Sequence, residues 1–202
     1  MTHRVRRVLR QRVYSRVMKE TSVAPASFER AYYEQNYRNY SRQNPLRKLL
    51  HYKQAVESSV RRRERIRILD VGCAFGAFLG TLDERWDAYG MDVSEYAIDV
   101  ARKTVAGARF ESVRDGRIPF HVPFDAITAW DVIEHIPDLD NLAREIDANL
   151  ADDGVFLFVV PVYDGPLGPV VHFLDGDPTH VHKRSRKFWL EWAGRHFHID
   201  TW

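Results

Sequence analysis

Two acidic residues flank a glycine-containing turn near the centre of the chain. Asp70 stands just before the turn that runs from Gly72 to Gly76, and Asp92 comes twenty residues after Gly72. The two glycines let the backbone pass close to a ligand. An acid at the position of Asp92 can accept hydrogen bonds from both hydroxyls of a ribose. The spacing therefore predicts a nucleoside site, with a helix N-cap as the simpler role for Asp92.

The charge of Asp70 separates two classes of nucleoside ligand. A dinucleotide presents an anionic pyrophosphate to the helix N-terminus after such a turn, where a carboxylate would oppose it. A sulfonium nucleoside that also carries an ammonium group is cationic, and an acid favours it. Asp70 therefore indicates S-adenosylmethionine rather than NAD. Its simpler role would be to bind amide groups of the turn.

Histidines follow two predicted strands farther along the chain. His135 comes after the segment 124–129, and His172, His180 and His182 lie in a long loop after the segment 155–162. Histidine has a pKa suited to proton removal near neutral pH. His135 is therefore a candidate general base, and its simpler role would be to pack and hydrogen-bond inside its own loop.

Strand and helix patterns must position these residues. The strands are predicted at 66–71, 87–92, 109–113, 124–129, 155–162 and 197–201, and the helices at 75–85, 94–105, 138–150 and 185–195. Their alternation predicts an α/β fold with a doubly wound, mostly parallel, Rossmann-like sheet. In open sheets of this kind ligands bind at the carboxyl ends of the strands.

The amino-terminal third differs in composition from the rest. Residues 1–67 hold 18 lysines and arginines against 5 acids, and residues 68–202 hold 12 against 23. We predict a basic amphipathic helix or arm over 1–24, a tyrosine-rich helical cap or lid over 25–63, and the nucleoside-binding domain over 64–202. A basic arm suits nucleic acid, an anionic membrane surface, or the acidic body of the protein itself.

Cysteine content and hydropathy limit the class of protein to which the chain can belong. A single cysteine, Cys73, permits no internal disulfide and no cysteine-based zinc site. Since no apolar run approaches the roughly 20 residues that span a bilayer, we expect a soluble, cytoplasmic protein.

Three motifs carry a resemblance to a known family. ILDVGCAFGAF at 68–78, GMDVS at 90–94 and FDAITAWDVIEHIPDL at 124–139 resemble class I S-adenosylmethionine-dependent methyltransferases, the broad group that includes ubiquinone-type O-methyltransferases. The resemblance implies that the methionine part of the cofactor is lined by Asp70, Gly72, Ala74 and Gly76. It also implies that Asp92 binds the ribose, that Asp115 binds the adenine, and that Trp130 and Asp131 lie against the cofactor.

The same resemblance implies methyl transfer by in-line displacement to a small-molecule acceptor, at oxygen or nitrogen. His135 and His180 are then the candidate catalytic residues. Asp175, Asp177 and the loop histidines could in principle bind a metal, but the acidic ligand pattern of catechol methyltransferases is not evident and we expect none.

Three alternative functions remain open. They are an RNA methyltransferase that uses the basic arm, a non-catalytic methyltransferase-like binding protein, and, least favoured, a dehydrogenase. The family's last, antiparallel strand has no counterpart before Trp202, so we expect an incomplete sheet or a sixth strand paired directly with the fifth.

Overall fold

A single parallel sheet organises the protein. The computed structural model describes residues 40–61, 63–166, 168, 172–173, 175, 177 and 179–199. Its strands are β1 (Ile66–Val71), β2 (Trp86–Asp92), β3 (Arg109–Ser112), β4 (Phe124–Trp130) and β5 (Leu150–Val159). They lie in the order β3-β2-β1-β4-β5, and every neighbouring pair is parallel. The predicted Rossmann-like α/β sheet is confirmed.

Helices connect and cover the strands. They are α1 (Tyr40–Gln43), α2 (Leu46–Ser59), α3 (Glu95–Thr104), α4 (Leu139–Asn149) and α5 (Arg186–His196), with 3₁₀ turns at Leu79–Thr81 and Ile133–His135. Ser94, Asp138 and Ser185 each accept a hydrogen bond from the backbone amide three residues later. These caps bind amides that the first helical turn leaves unpaired, which explains where α3, α4 and α5 begin.

The two faces of the sheet bury separate apolar layers. Leu69 and Val71 of β1 belong to the layer beneath α4 and α5, while Ile66 and Ile68 belong to the layer beneath α2 and α3. Because side chains of a strand alternate between faces, one strand contributes to both layers. The sheet is therefore doubly wound, as predicted.

The predicted helix over 75–85 is wrong. Only Leu79–Thr81 is helical there, as a 3₁₀ turn, and Leu82 returns to extended backbone. Gly76 has φ +73°, outside the right-handed helical region, and Gly80 adds a second poor helix former. No regular α-helix therefore follows the first turn.

Two strand predictions also need correction. β5 spans Leu150–Val159 rather than 155–162, and it includes the expected turn at Asp153-Gly154 where its register with β4 is irregular, between Phe124 and Ala126. Residues 197–199 of the predicted sixth strand are not a strand, and 200–201 lie outside the described residues.

The basic segment that leads into β1 is partly neutralised by the protein itself. Lys53 pairs with Asp83 at 3.1 Å, and Arg63 pairs with Asp125 at 2.8 Å. The arm over 1–24 and most of the cap segment lie outside the described residues. Within the part that is described, no helix is long and apolar enough to cross a membrane.

Candidate functional site

The turn after β1 is built on left-handed backbone. Gly72, Ala74 and Gly76 have φ values of +71°, +47° and +73°. A Cβ on Gly72 would overlap the side chain of Val132, so this position requires glycine. Ala74 adopts its conformation without glycine, at a cost of about 1 kcal/mol. Its amide donates to Asp92 Oδ2 at 2.9 Å, which holds the turn against the end of β2.

Asp70 presents a buried carboxyl group at the end of β1. Its side chain is only 3% exposed, and its Oδ1 accepts a hydrogen bond from the Thr128 hydroxyl at 2.8 Å. Burial, reinforced by the nearby charge of Asp92, raises the pKa of Asp70 to about 7. A cation beside this group would lower that pKa and gain from its negative charge.

Asp92 closes the same turn from β2. Its two carboxyl oxygens accept from the amides of Ala74 and Ser94, each at 2.9 Å. Ser94, not Asp92, caps α3, because its hydroxyl accepts from Ala97. Asp92 is therefore not the helix cap, and its ribose-binding role stays a prediction.

A cavity of about 240 Å³ opens beside this turn. It lies at the carboxyl ends of β1 and β4. The connections that follow these two strands run to opposite faces of the sheet, and open α/β folds bind ligands at such a point. Five predicted site residues line it: Asp70, Gly72, Ala74, Trp130 and Asp131.

The opposite wall comes from α2, which lies within the segment 25–63 predicted as a helical cap or lid, but Lys48 and Tyr52 were not predicted as site residues. Lys48 pairs with Asp131 at 3.0 Å, and the Tyr52 ring stacks on Trp130 at a centroid distance of 4.2 Å. Burial lowers the pKa of Lys48, but the hydrogen bond to Asp131, the charge of Asp131 and the interaction with Tyr52 together outweigh burial, and the net pKa is raised. The apolar stripe of α2 indicated a helix; the spacing of four between Lys48 and Tyr52 was the available sign that both share a face.

Three predicted cofactor residues are not among those that line this cavity: Gly76, Asp92 and Asp115. Gly76 packs near Phe110, whose ring would lie 3.0 Å from an added Cβ. Asp115 is exposed in the loop after β3 and accepts from the amide of Arg117 at 3.1 Å. Their cofactor roles stay predictions.

His135 and His180 lie together although 45 residues separate them in sequence. Their ring centroids are 4.6 Å apart. Burial, and then the neighbouring His180, lower the pKa of His135, which favours its neutral form. His172 instead contacts the Tyr163 ring, and His182 lies 2.9 Å from the carbonyl oxygen of Ile136 through Nε2.

Glu134 is the member of this group that sequence reasoning passed over. It is 1% exposed, and its Oε2 has no hydrogen-bond partner among the described residues. Burial raises its pKa to about 8. Its place beside His135 was visible in the sequence, but its burial follows from the 3₁₀ turn Ile133–His135, which no pattern indicated.

Comparison with known sequences identifies relatives. A family model described as a methyltransferase domain matches residues 37–201. The ubiquinone biosynthesis O-methyltransferase of Neisseria meningitidis is 30% identical over 101 residues, 46% of this chain and 42% of that protein. The uncharacterized methyltransferase YcgJ of Bacillus subtilis is 31% identical over 137 residues, 61% and 53% of the two chains. This chain thus spans about half the length of these curated relatives, or less.

Solved structures share the fold. The YcgJ crystal structure superposes with a TM-score of 0.61 at 25% identity, covering 71% of this chain and 66% of that one. CalS10, an amino pentose methyltransferase from Micromonospora echinaspora solved with S-adenosylmethionine, gives a TM-score of 0.54 at 23% identity over 65% and 57% of the chains.

Proposed function

Because the chain belongs to the class I S-adenosylmethionine-dependent methyltransferase family, we propose that it transfers a methyl group from S-adenosylmethionine to an oxygen or nitrogen atom of a small-molecule acceptor. The observation that carries the proposal is the buried carboxyl group of Asp70 beside the cavity at the ends of β1 and β4. A cationic ligand is favoured there, and a pyrophosphate is not.

Different residues of the chain would bind the cofactor and position the acceptor. The cofactor supplies a methyl group already activated by its positively charged sulfur. Asp70 and the backbone of Gly72 and Ala74 would hold its methionine part, and Asp92 would bind its ribose. The α2 wall with Trp130 would limit the access of water to the cofactor, and the acceptor would lie between the cavity and the two histidines.

Proton removal from the acceptor falls to the histidines. The hydroxyl hydrogen of Thr179 goes to Asp177, so Thr179 Oγ1 accepts from His135 Nδ1 at 2.9 Å. His135 therefore keeps a lone pair on Nε2, as a general base requires. His180, with Nδ1 hydrogen-bonded to Asp175 at 2.8 Å, keeps its Nε2 lone pair in the same way.

Calorimetric titration of the full chain with S-adenosylmethionine tests the proposal. We expect binding by the wild type and at least a tenfold loss of affinity in Asp92→Asn, which keeps one acceptor oxygen for the turn amides. Asp99→Ala, an exposed acid on α3, is the matched control and should bind normally. Binding of NAD in place of S-adenosylmethionine would reject the proposal.

RNA is the second candidate acceptor, because residues 1–39 hold 9 lysines and arginines against 3 acids. A small-molecule acceptor predicts that replacing the arginines of 1–19 by glutamine leaves turnover unchanged. Loss of turnover, together with loss of salt-sensitive RNA retention, would favour RNA.

A further inference from the structure

The group formed by Glu134, His135 and His180 lies outside the nucleoside cavity. One ligand atom from each residue lies within 4.8 Å of the others. Two of the residues follow β4 and the third comes from the loop after β5, so the fold brings them together from separate segments. We propose that they bind one divalent first-row transition-metal ion, a site that the sequence analysis did not expect.

The orientation of both imidazoles fits metal binding. His180 Nδ1 lies 2.8 Å from Asp175 Oδ2, and His135 Nδ1 lies 2.9 Å from Thr179 Oγ1. Since a carboxylate and a hydroxyl that already donates elsewhere can only accept, each Nδ1 carries the hydrogen and each Nε2 carries a lone pair. Metal-binding histidines are held by such outer hydrogen bonds.

Glu134 supplies the independent observation. Its carboxyl group is almost fully buried, its Oε2 has no hydrogen-bond partner in the described part of the chain, and its Oε1 lies 4.0 Å from His180 Nε2. A separation of 4.0 Å is too long for a hydrogen bond. Ligand atoms each about 2.1 Å from one metal ion lie up to about 4.2 Å apart, so a shared ion explains this spacing.

The surrounding charge also favours a cation. Asp177 Oδ2 lies 3.9 Å from His180 Nε2, which brings a second carboxylate to the group. Asp175 is paired with Lys183 at 3.0 Å and so acts mainly to position His180. Two imidazoles with one carboxylate form a donor set typical of zinc and ferrous ions, whereas magnesium and calcium prefer oxygen ligands.

Metal binding does not depend on methyl transfer. A bound ion would, however, occupy the two Nε2 lone pairs through which the histidines would act as bases under the proposed function. A histidine that binds the ion therefore cannot also act as the base. Beside an acceptor, the ion would lower the pKa of a hydroxyl that binds to it and replace the base.

Titration of the chelator-treated chain, residues 1–202, with Co²⁺, followed by visible absorption, tests the proposal in the absence of any nucleoside. We expect one equivalent to bind, Zn²⁺ to displace it, and Mg²⁺ to leave it in place. Glu134→Gln and His180→Ala should each lower the Co²⁺ affinity at least tenfold. Asp175→Asn should lower it less than the loss of a ligand does.

His196→Ala is the matched control, because His196 also faces a carboxylate, Asp140 at 3.1 Å, but belongs to no group of three metal-ligating side chains in the described part of the chain. This variant should bind Co²⁺ like the wild type. No saturable binding by the wild type, or unchanged affinity in folded Glu134→Gln and His180→Ala, would overturn the site. A failure of S-adenosylmethionine binding would leave this result standing, so the two proposals fail separately.

Discussion

Asp70 differs from Asp131 in how its charge is balanced. Its donor among the described residues is the neutral hydroxyl of Thr128, whereas Asp131 has the ammonium group of Lys48. A buried carboxyl group without a cationic partner favours its protonated form. The protonation state of Asp70 should therefore depend on whether a positively charged ligand lies in the cavity.

This predicts a pH-dependent preference between two related ligands. S-adenosylmethionine carries a positive sulfur that S-adenosylhomocysteine lacks. Between about pH 5.5 and about pH 8.5 Asp70 ionises, since its pKa is about 7. We expect the affinity ratio of the first ligand to the second to rise about tenfold over this range. Calorimetry at both pH values checks it, and Asp70→Asn should show a flat ratio; a pH-independent ratio in the wild type would contradict the assignment.

The same shift has a consequence for the protein without ligand. Because the pKa of Asp70 is higher in the folded than in the unfolded chain, its contribution to stability is present below about pH 4 and is lost as the pH rises to about 7. The free energy of unfolding of the wild type relative to Asp70→Asn should fall over that window, by up to about 4 kcal/mol.

Residue types and spacing identified much of the candidate site. Asp70, Gly72, Ala74, Trp130 and Asp131 were predicted together and line one cavity. Charge type and the glycine turn indicated Asp70 and Gly72, and the family resemblance implied Ala74, Trp130 and Asp131; both kinds of evidence are local in the sequence. The burial and the missing hydrogen-bond partner of Glu134 depend on chain segments far apart in sequence, and no local pattern encodes them.

Among the elements, α2 links the amino-terminal segment to the site. Leu49, Tyr52 and Val56 are buried on its inner face, while Leu46 and Leu50 are exposed. The Tyr52 ring is nearly parallel to that of Trp130, with 9° between their planes. The helix is thus held to the rest of the domain by its buried apolar face, by the stack of Tyr52 on Trp130, and by ion pairs that include Lys48–Asp131.

Removing the stack should loosen α2 without unfolding the sheet. We expect Tyr52→Ala to lower the free energy of unfolding by about 3 kcal/mol. Hydrogen exchange should speed up over 46–59 more than over β1 and β4. Leu50→Ala, at an exposed position of the same helix, should change stability by less than about 1 kcal/mol. Equal effects of the two variants would show that the stack does not anchor the helix.

Helix prediction succeeded where apolar residues recur with helical spacing after a capping residue, and it failed where a glycine lies within the segment. The helices expected at 94–105, 138–150 and 185–195 are present within one residue at each end. The helix expected at 75–85 is absent, because left-handed backbone at Gly76 interrupts a sequence whose apolar residues suit either a helix or a packed loop. This absence also removes the helix N-terminus that would bind a pyrophosphate.

At the scale of the whole molecule, strand order brings the separate motifs together. β1 lies between β2 and β4, so the ends of all three strands meet at one edge of the sheet. Asp70, Asp92 and Trp130 stand at those ends although they are spread over 61 residues. The opposite edge holds the turns that lead into the strands and none of the predicted site residues.

A ligand that uses this edge should protect it selectively from hydrogen exchange. We expect saturating S-adenosylmethionine to slow exchange over 70–76, 92–94 and 130–132 by up to about 100-fold when its concentration is about 100 times Kd. Turns at the opposite edge, 83–85 and 106–108, should exchange as before. Added Zn²⁺ should instead protect 133–136 and 179–182, because its ligands come from those loops. If S-adenosylmethionine instead slowed exchange at 83–85 or 106–108, its site would lie at the opposite edge of the sheet. That result would contradict both the topology and the charge argument for Asp70.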